Sequence, residues 1–206
     1  FINGIPIVMM ELKNTLTGQT HLNAIKQWQY DRDQKEPLFR FKRNLVYLAV
    51  GNEKVSMATR LSGGNTKFLP YNRGIENPVN NNGHKTAYLW EHILQPNNIL
   101  ELIESFVHIR VETEKVYDAK LGKIKEKKSD ILIFPRFHQL NVIQRLKEAV
   151  ITEDVGHNYL IQHTTGSGKS LSIGWLAHLL TSLYRTVTDT KRMFDTIIVI
   201  TDRRVL

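Results

Sequence analysis

The chain contains no cysteine, which removes disulfide scaffolds, thiolate zinc sites and cysteine nucleophiles together. No apolar run approaches the roughly 18 residues that a membrane helix needs. The opening FINGIPIVMMELKN lacks the charged head and small-residue cleavage site of a secretory signal. His84, His92, His138, His157, His163 and His178 show no H-E-x-x-H or comparable spacing, which argues against a histidine-bound metal. There is no G-x-S-x-G elbow, no distinct nucleophile–base pairing and no internal repeat. What remains is a chain of 206 residues with 41% hydrophobic and 23% charged content, the proportions of a soluble globular protein. That length suits one large domain or two small ones. The net charge of +8 makes a polyanion the first partner to consider. The excess is shared between both halves of the chain.

The chain opens without Met on an apolar stretch and closes on TIIVITDRRVL, so it reads as a piece of something longer. Ile5–Met10 is a β-branched, apolar run that predicts a buried strand, turning polar at Glu11-Leu12-Lys13. Leu22, Ile25 and Trp28 are spaced for a helix over Thr20–Tyr30 with Thr20 as its cap. Leu45–Val50 and Val55–Leu61 predict an antiparallel hairpin, and Ser62–Gly83, rich in Asn and Gly, predicts loop. Helical patterns follow at Thr86–Leu94 and Asn98–His108. Between Val111 and Asp130 the pattern dissolves into charge, which is expected to be a solvated linker. A helix over Phe137–Ile151, a strand at Tyr159–Gln162, a Gly-rich turn, a helix over Lys169–Leu183 and a strand at Thr196–Thr201 complete the order. Strand–helix–strand implies a parallel sheet. The expected fold class is α/β, an α+β part followed by the start of a parallel α/β part. Trp28, Trp90 and Trp175 are expected in the core rather than as base-stacking platforms.

His163-Thr164-Thr165-Gly166-Ser167-Gly168-Lys169-Ser170 lies between the predicted strand and helix, the context a phosphate-binding P-loop requires. Gly166 and Gly168 allow backbone N–H groups to curl around phosphate. The helix N-terminus adds partial positive charge. Lys169 would reach the β- and γ-phosphates, and the Ser170 hydroxyl would ligate Mg²⁺. The strict P-loop spacing wants Gly at position 163, and relaxing it to His163 points toward helicase-type motors. Upstream, Gln139 follows Phe134-Pro135-Arg136-Phe137-His138, and a Gln amide can donate to and accept from adenine at once. It resembles the adenine-reading glutamine of superfamily 2 helicases, with Phe134 or Phe137 beside the base.

Glu11 and Lys13 are two apart on a strand, so they share a face. An acid that helps hold Mg²⁺ and a lysine that orients or helps deprotonate the attacking water form a pairing used in metal-assisted phosphodiester hydrolysis. A second carboxylate on a preceding strand would be needed, and the first Asp in this chain is Asp31. A salt-bridged pair at a strand end is the alternative.

FINGIPIVMMELKN, HLNAIKQWQY, FKRNLVYLAV, FPRFHQL, YLIQHTTGSGKS and TIIVITDRRVL, taken in order, resemble the restriction (R) subunit of type I restriction–modification enzymes. The resemblance implies a PD-(D/E)xK-like nuclease domain over residues 1–120, lacking its amino-terminal part. It implies the first part of a helicase-like, RecA-like ATPase domain over 121–206. Glu11 and Lys13 would then be nuclease residues, with Glu11 a metal ligand. Thr165, Gly166, Ser167, Gly168, Lys169 and Ser170, with Gln139, would bind ATP and its Mg²⁺. Thr201-Asp202-Arg203-Arg204 would open the next motor motif, with Arg203 and Arg204 near DNA. Many members carry Q-x-x-x-Y on the helix after the nuclease strand; here Gln27 and Tyr30 are three apart, and Lys26 stands four before Tyr30. The implied partners are double-stranded DNA and the methyltransferase (M) and specificity (S) subunits, in the cytoplasm of a bacterium or archaeon, with no membrane. The implied activity is a type I site-specific deoxyribonuclease that couples cleavage to ATP-driven translocation, and this piece alone is expected to be inactive. Two alternatives stay open: a superfamily 2 helicase or type III restriction subunit in which the Glu11–Lys13 strand is structural, and a non-catalytic DNA- or nucleotide-binding module.

Overall fold

The structure, a computed structural model, describes residues 1–118 and 122–201. The chain divides into two units, Phe1–Phe134 and Pro135–Leu206.

The first unit is built on a four-stranded mixed sheet ordered β1 (Val8–Leu12), β2 (Val46–Val50), β3 (Val55–Ala58), β4 (Leu69–Pro70). β1 runs parallel to β2, whereas β2–β3 and β3–β4 are antiparallel. A parallel pair needs a crossover, and α1 (His21–Tyr30) lies within it. Thr20 caps this helix through a reciprocal capping box with Asn23. Every residue of β2 and β3 is buried. β1 is the edge, so its Met10 and Leu12 stay exposed on one face. The opposite face, carrying Met9 and Glu11 across from Tyr47 and Ala49, lies under α1.

Trp28 anchors that helix. Its rings meet Phe39 and Tyr47 edge-on, with centroids 5.9 and 5.3 Å away, and its indole N–H donates to the Leu48 carbonyl at 3.1 Å. The polar tip is thus satisfied inside an otherwise apolar cluster with Ala24, Ala49 and Leu61. Gly51 sets how closely the helix approaches, because a Cβ there would stand 2.8 Å from the His21 backbone nitrogen. Farther along, Leu89–Ile93 and Leu102–Phe106 are single wide turns with i+5 bonds, flanking α2 (Pro96–Glu101). The two regular helices expected over this stretch are therefore broken into shorter pieces.

The charged stretch expected as a linker is instead a hairpin, β5 (His108–Asp118) and β6 (Lys123–Ile133). Its register explains the difference. Glu114 stands opposite Lys127 and Lys115 opposite Glu126, so opposite charges meet across the strands. The base is held by buried Leu132 and by an ion pair between Lys42 and Asp130 at 2.5 Å. The boundary accordingly falls at Phe134/Pro135, after the hairpin rather than at 120/121.

The second unit contains α3 (Phe137–Glu153) and α4 (Lys169–Thr181), which bury Phe137, Leu140, Ile143 and Trp175. The expected parallel sheet is absent among its described residues. Tyr159–Gln162 and Thr196–Thr201 have no ladder partner, and Leu160 and Ile200 are 95% and 91% exposed. Apolar, β-branched composition favours a strand only when a neighbouring strand supplies the hydrogen bonds.

Two glycine substitutions should separate in sign. Gly51→Ala forces α1 away from the sheet and is expected to cost about 1–3 kcal/mol. Gly174→Ala, mid-helix with open space around the new methyl, should gain about 0.5–1 kcal/mol. Denaturant melts of both variants check the pair.

Candidate functional site

Glu11 and Lys13 lie side by side on the face of β1 beneath α1, each side chain 14% exposed, with Nζ 3.2 Å from the Glu11 carboxylate. The Lys13 backbone N–H continues the ladder onto Val50, so both side chains are fixed by the sheet. From α1, Gln27 accepts from the Lys13 ammonium at 2.5 Å. Just past the helix, Arg32 donates to the other Glu11 oxygen at 2.9 Å. The result is an unbroken polar chain, Gln27–Lys13–Glu11–Arg32. Two cations flank one half-buried carboxylate, so its partial burial is compensated by paired charge.

Of the three helix residues weighed against the Q-x-x-x-Y pattern, Gln27 is the one at the site. Lys26 is exposed. Tyr30 lays its ring over Gly64, where an added Cβ would be 3.3 Å from it. Gln29 donates to the Thr66 carbonyl at 3.1 Å, tying the end of α1 to the same turn. Arg32 escaped the sequence reading because it follows the helix and belongs to no periodic face.

A divalent cation such as Mg²⁺ needs several oxygen ligands around it. Glu11 offers one carboxylate, and both its oxygens already face protein cations. Among the described residues no group of three metal-ligating side chains forms. As arranged, these residues do not fit a resident Mg²⁺.

In the second unit, Gly166 and Gly168 adopt φ of +76° and +84°, the left-handed region that glycine reaches without strain and that the expected loop calls for. Gly168 immediately precedes α4, which has no side-chain cap. Its first amides therefore remain available to an anion. Lys169 folds back onto the carbonyls of His163 and Thr164 at 3.2 and 3.0 Å. Thr165 and Ser170 are exposed. The Ser167 hydroxyl is buried with no hydrogen-bond partner among the described residues.

The loop is braced from α3. Gln139 is buried, accepts from the Arg136 backbone N–H and donates to the Gly168 carbonyl at 3.0 Å. Arg136 donates to the Gly166 carbonyl at 3.1 Å. His138 Nε2 bonds the Ser167 carbonyl at 2.9 Å, and its ring meets that of His163 edge-on. Gln139 thus spends its amide on the loop backbone. Phe134 and Phe137 are both buried, Phe134 against Tyr71, so neither presents a face to a base here. Arg203 and Arg204 lie outside the described residues.

Burial lowers His138 first, Arg136 and His163 lower it further, and the Ser167 bond raises it. His21, at the start of α1, is lowered by burial and then by Lys54. Both therefore titrate below the ordinary value of 6.5. Beneath that value the unfolded chain binds protons the folded one refuses, so stability is full above it and falls on acidification. Imidazole NMR titration with parallel urea melts tests this; midpoints at or above the ordinary value would contradict it.

Residues 1–66 match the family model described as type I restriction enzyme R protein N terminus. A putative type I restriction enzyme MjaVIIP endonuclease subunit from Methanocaldococcus jannaschii is 24% identical over 200 residues, covering 89% of this chain and 16% of that protein. The type I restriction enzyme HindI endonuclease subunit from Haemophilus influenzae is 26% identical over 217 residues, covering 98% of this chain and 18% of that protein. The chain spans less than a fifth of the length of these relatives. No solved structure matches it. The resemblance read from the sequence is borne out: over nearly its whole length the chain is similar to type I restriction enzyme endonuclease subunits, and its first 66 residues to the N terminus of the R protein.

Proposed function

We propose that this chain is part of a DNA-translocating and DNA-cleaving subunit of a type I restriction system, with Glu11 and Lys13 at its phosphodiester-cleaving site. The observation that carries this is the Gln27–Lys13–Glu11–Arg32 chain, which fixes a lysine and a carboxylate side by side under α1. A structural ion pair needs neither the Gln27 contact nor a second cation. Lys13, oriented by Gln27, would donate to the negative charge that grows on the phosphate during cleavage. Glu11 holds the ammonium in place.

The loop Thr165–Ser170 supports ATP binding. Its backbone is shaped for phosphate, and the orphaned Ser167 hydroxyl and the self-bonded Lys169 are groups that a nucleotide would engage. Lys169 would exchange its two carbonyls for phosphate oxygens, a charge-assisted gain. Mg²⁺ arriving with the nucleotide would neutralise phosphate charge, with the Ser170 hydroxyl as its protein ligand. Gln139 and Arg136 would hold the loop in register. No helix among the described residues is long and apolar enough to cross a membrane. The partners are double-stranded DNA, met chiefly through its phosphates, and the methyltransferase and specificity subunits, the latter reading the bases.

In the full-length subunit, assembled with its partners, Lys13→Ala should lower cleavage about 100-fold or more while leaving ATP turnover intact. Lys169→Ala should abolish ATP turnover and, with it, cleavage remote from the recognition site. If cleavage survives Lys13→Ala unchanged, the strand is structural and Lys13 is no part of the cleavage site. DNA affinity, measured between low and physiological salt, should fall steeply.

A further inference from the structure

The end of the sheet away from Glu11 and Lys13 carries a second concentration of charge. Arg40, Phe41, Lys42 and Arg43 form a tight turn, closed by the Arg43 N–H donating to the Arg40 carbonyl at 3.0 Å. The turn feeds β2, where the Leu45 N–H donates to the Ile7 carbonyl, whereas Glu11 stands opposite Ala49. The two ends are thus roughly 13 Å apart along the strand. Ala58 lies opposite Tyr47, so Arg60, just past β3, comes to the same end as the turn. There its guanidinium carbon stands over the Phe41 ring, 4.7 Å from the centre.

The turn is firmly seated. Buried Asn44 donates to the Leu38 carbonyl at 2.5 Å and to the Tyr47 hydroxyl at 3.3 Å. Lys42 holds φ +73°, a left-handed conformation in which glycine is the usual residue, and its ammonium pairs with Asp130. The other three cations are not neutralised. Arg40, Arg43 and Arg60 are exposed, and none pairs with a carboxylate among the described residues. Arg40 commits only its Nε–H, to the Lys35 carbonyl at 3.3 Å. Guanidinium forks match phosphate oxygens, and like charges held together favour an anion against them. A protein partner would bury an apolar centre, but here the one ring, Phe41, is already half-buried under Arg60.

We propose that Arg40, Arg43 and Arg60 form a contact for the phosphate backbone of duplex DNA, separate from Glu11 and Lys13. The proposal rests on the reading of duplex DNA as a partner, and not on the roles given to Glu11 and Lys13. The Phe41 ring backs Arg60 and leaves its N–H groups for phosphate oxygens. Such a contact holds the duplex by charge and reads no bases.

The test is fluorescence anisotropy of the full-length subunit, without nucleotide, on a labelled duplex lacking the recognition sequence, repeated across salt concentrations. Arg43→Gln combined with Arg60→Gln should weaken binding and lower the slope of log affinity against log salt by about 2, near one per phosphate contact. Arg43→Lys combined with Arg60→Lys keeps both charges and should retain most of the slope. Arg145→Gln with Lys191→Gln, which removes two exposed charges from the second unit, is the control and should change the slope less. An unchanged slope in the Arg43 and Arg60 glutamine variant refutes the contact and leaves DNA as a partner. An equal fall in the control assigns the effect to net charge and also refutes it. If the glutamine variant keeps its slope but loses assembly with the partner subunits, the turn serves a protein and the proposal is overturned. If the wild-type subunit binds no duplex, the reading of DNA as a partner falls as well. Circular dichroism melts confirm that the compared chains are folded.

Discussion

The seating of α1 on β2 is the constraint from which the first unit follows. A parallel pair of strands cannot close through a tight turn, so the chain between β1 and β2 must cross over and cover the sheet. Trp28 makes that cover specific. Its ring fills the space between Phe39 and Tyr47, while its N–H finds the Leu48 carbonyl. Nonspecific burial would favour any large apolar side chain; only an indole places a donor there as well. With the helix so placed, Gln27 points at the end of β1 and meets Lys13.

Electrostatics then decides what the covered edge can hold. A carboxylate beneath a helix loses hydration, and an isolated charge in that position is costly. Two cations resolve this at Glu11, at the expense of leaving the group positively charged as a whole. That excess suits an anionic substrate. An anion approaching the exposed side would meet Arg32 first and Lys13 behind it, an order set by their different burial. In the second unit, Arg136, His138 and Gln139, at and just before the start of α3, brace the Gly166–Gly168 turn through its backbone carbonyls.

Much of this was legible in the residues, and the omissions share a cause. The Thr20 cap, the helix after it, the β2–β3 hairpin, the shared face of Glu11 and Lys13 and the glycine conformations of the loop all depend on neighbours within a few positions. Cross-strand and post-helix relations do not. The hairpin of β5 and β6 looked like a charged linker because its charges find partners more than ten residues away. Arg32 gave no periodic signal. Gln139 was recognisable as an amide able to pair twice, but which two groups it would engage depended on the packing of α3 against the loop. Strands predicted near Tyr159 and Thr196 remained unpaired because composition specifies a surface, not the neighbour that completes it.

The clamping of α1 at both ends has a consequence for how its site responds to load. Gly51 admits the helix start and Gly64 admits the Tyr30 ring at its finish, each by lacking a methyl group, while Gln29 ties the same turn through Thr66. A rod fixed at two points transmits displacement instead of absorbing it. A pull on the Ser62–Thr66 turn would therefore tilt Gln27 against Lys13. That turn is the place where a force applied at the surface would reach the Glu11–Lys13 pair.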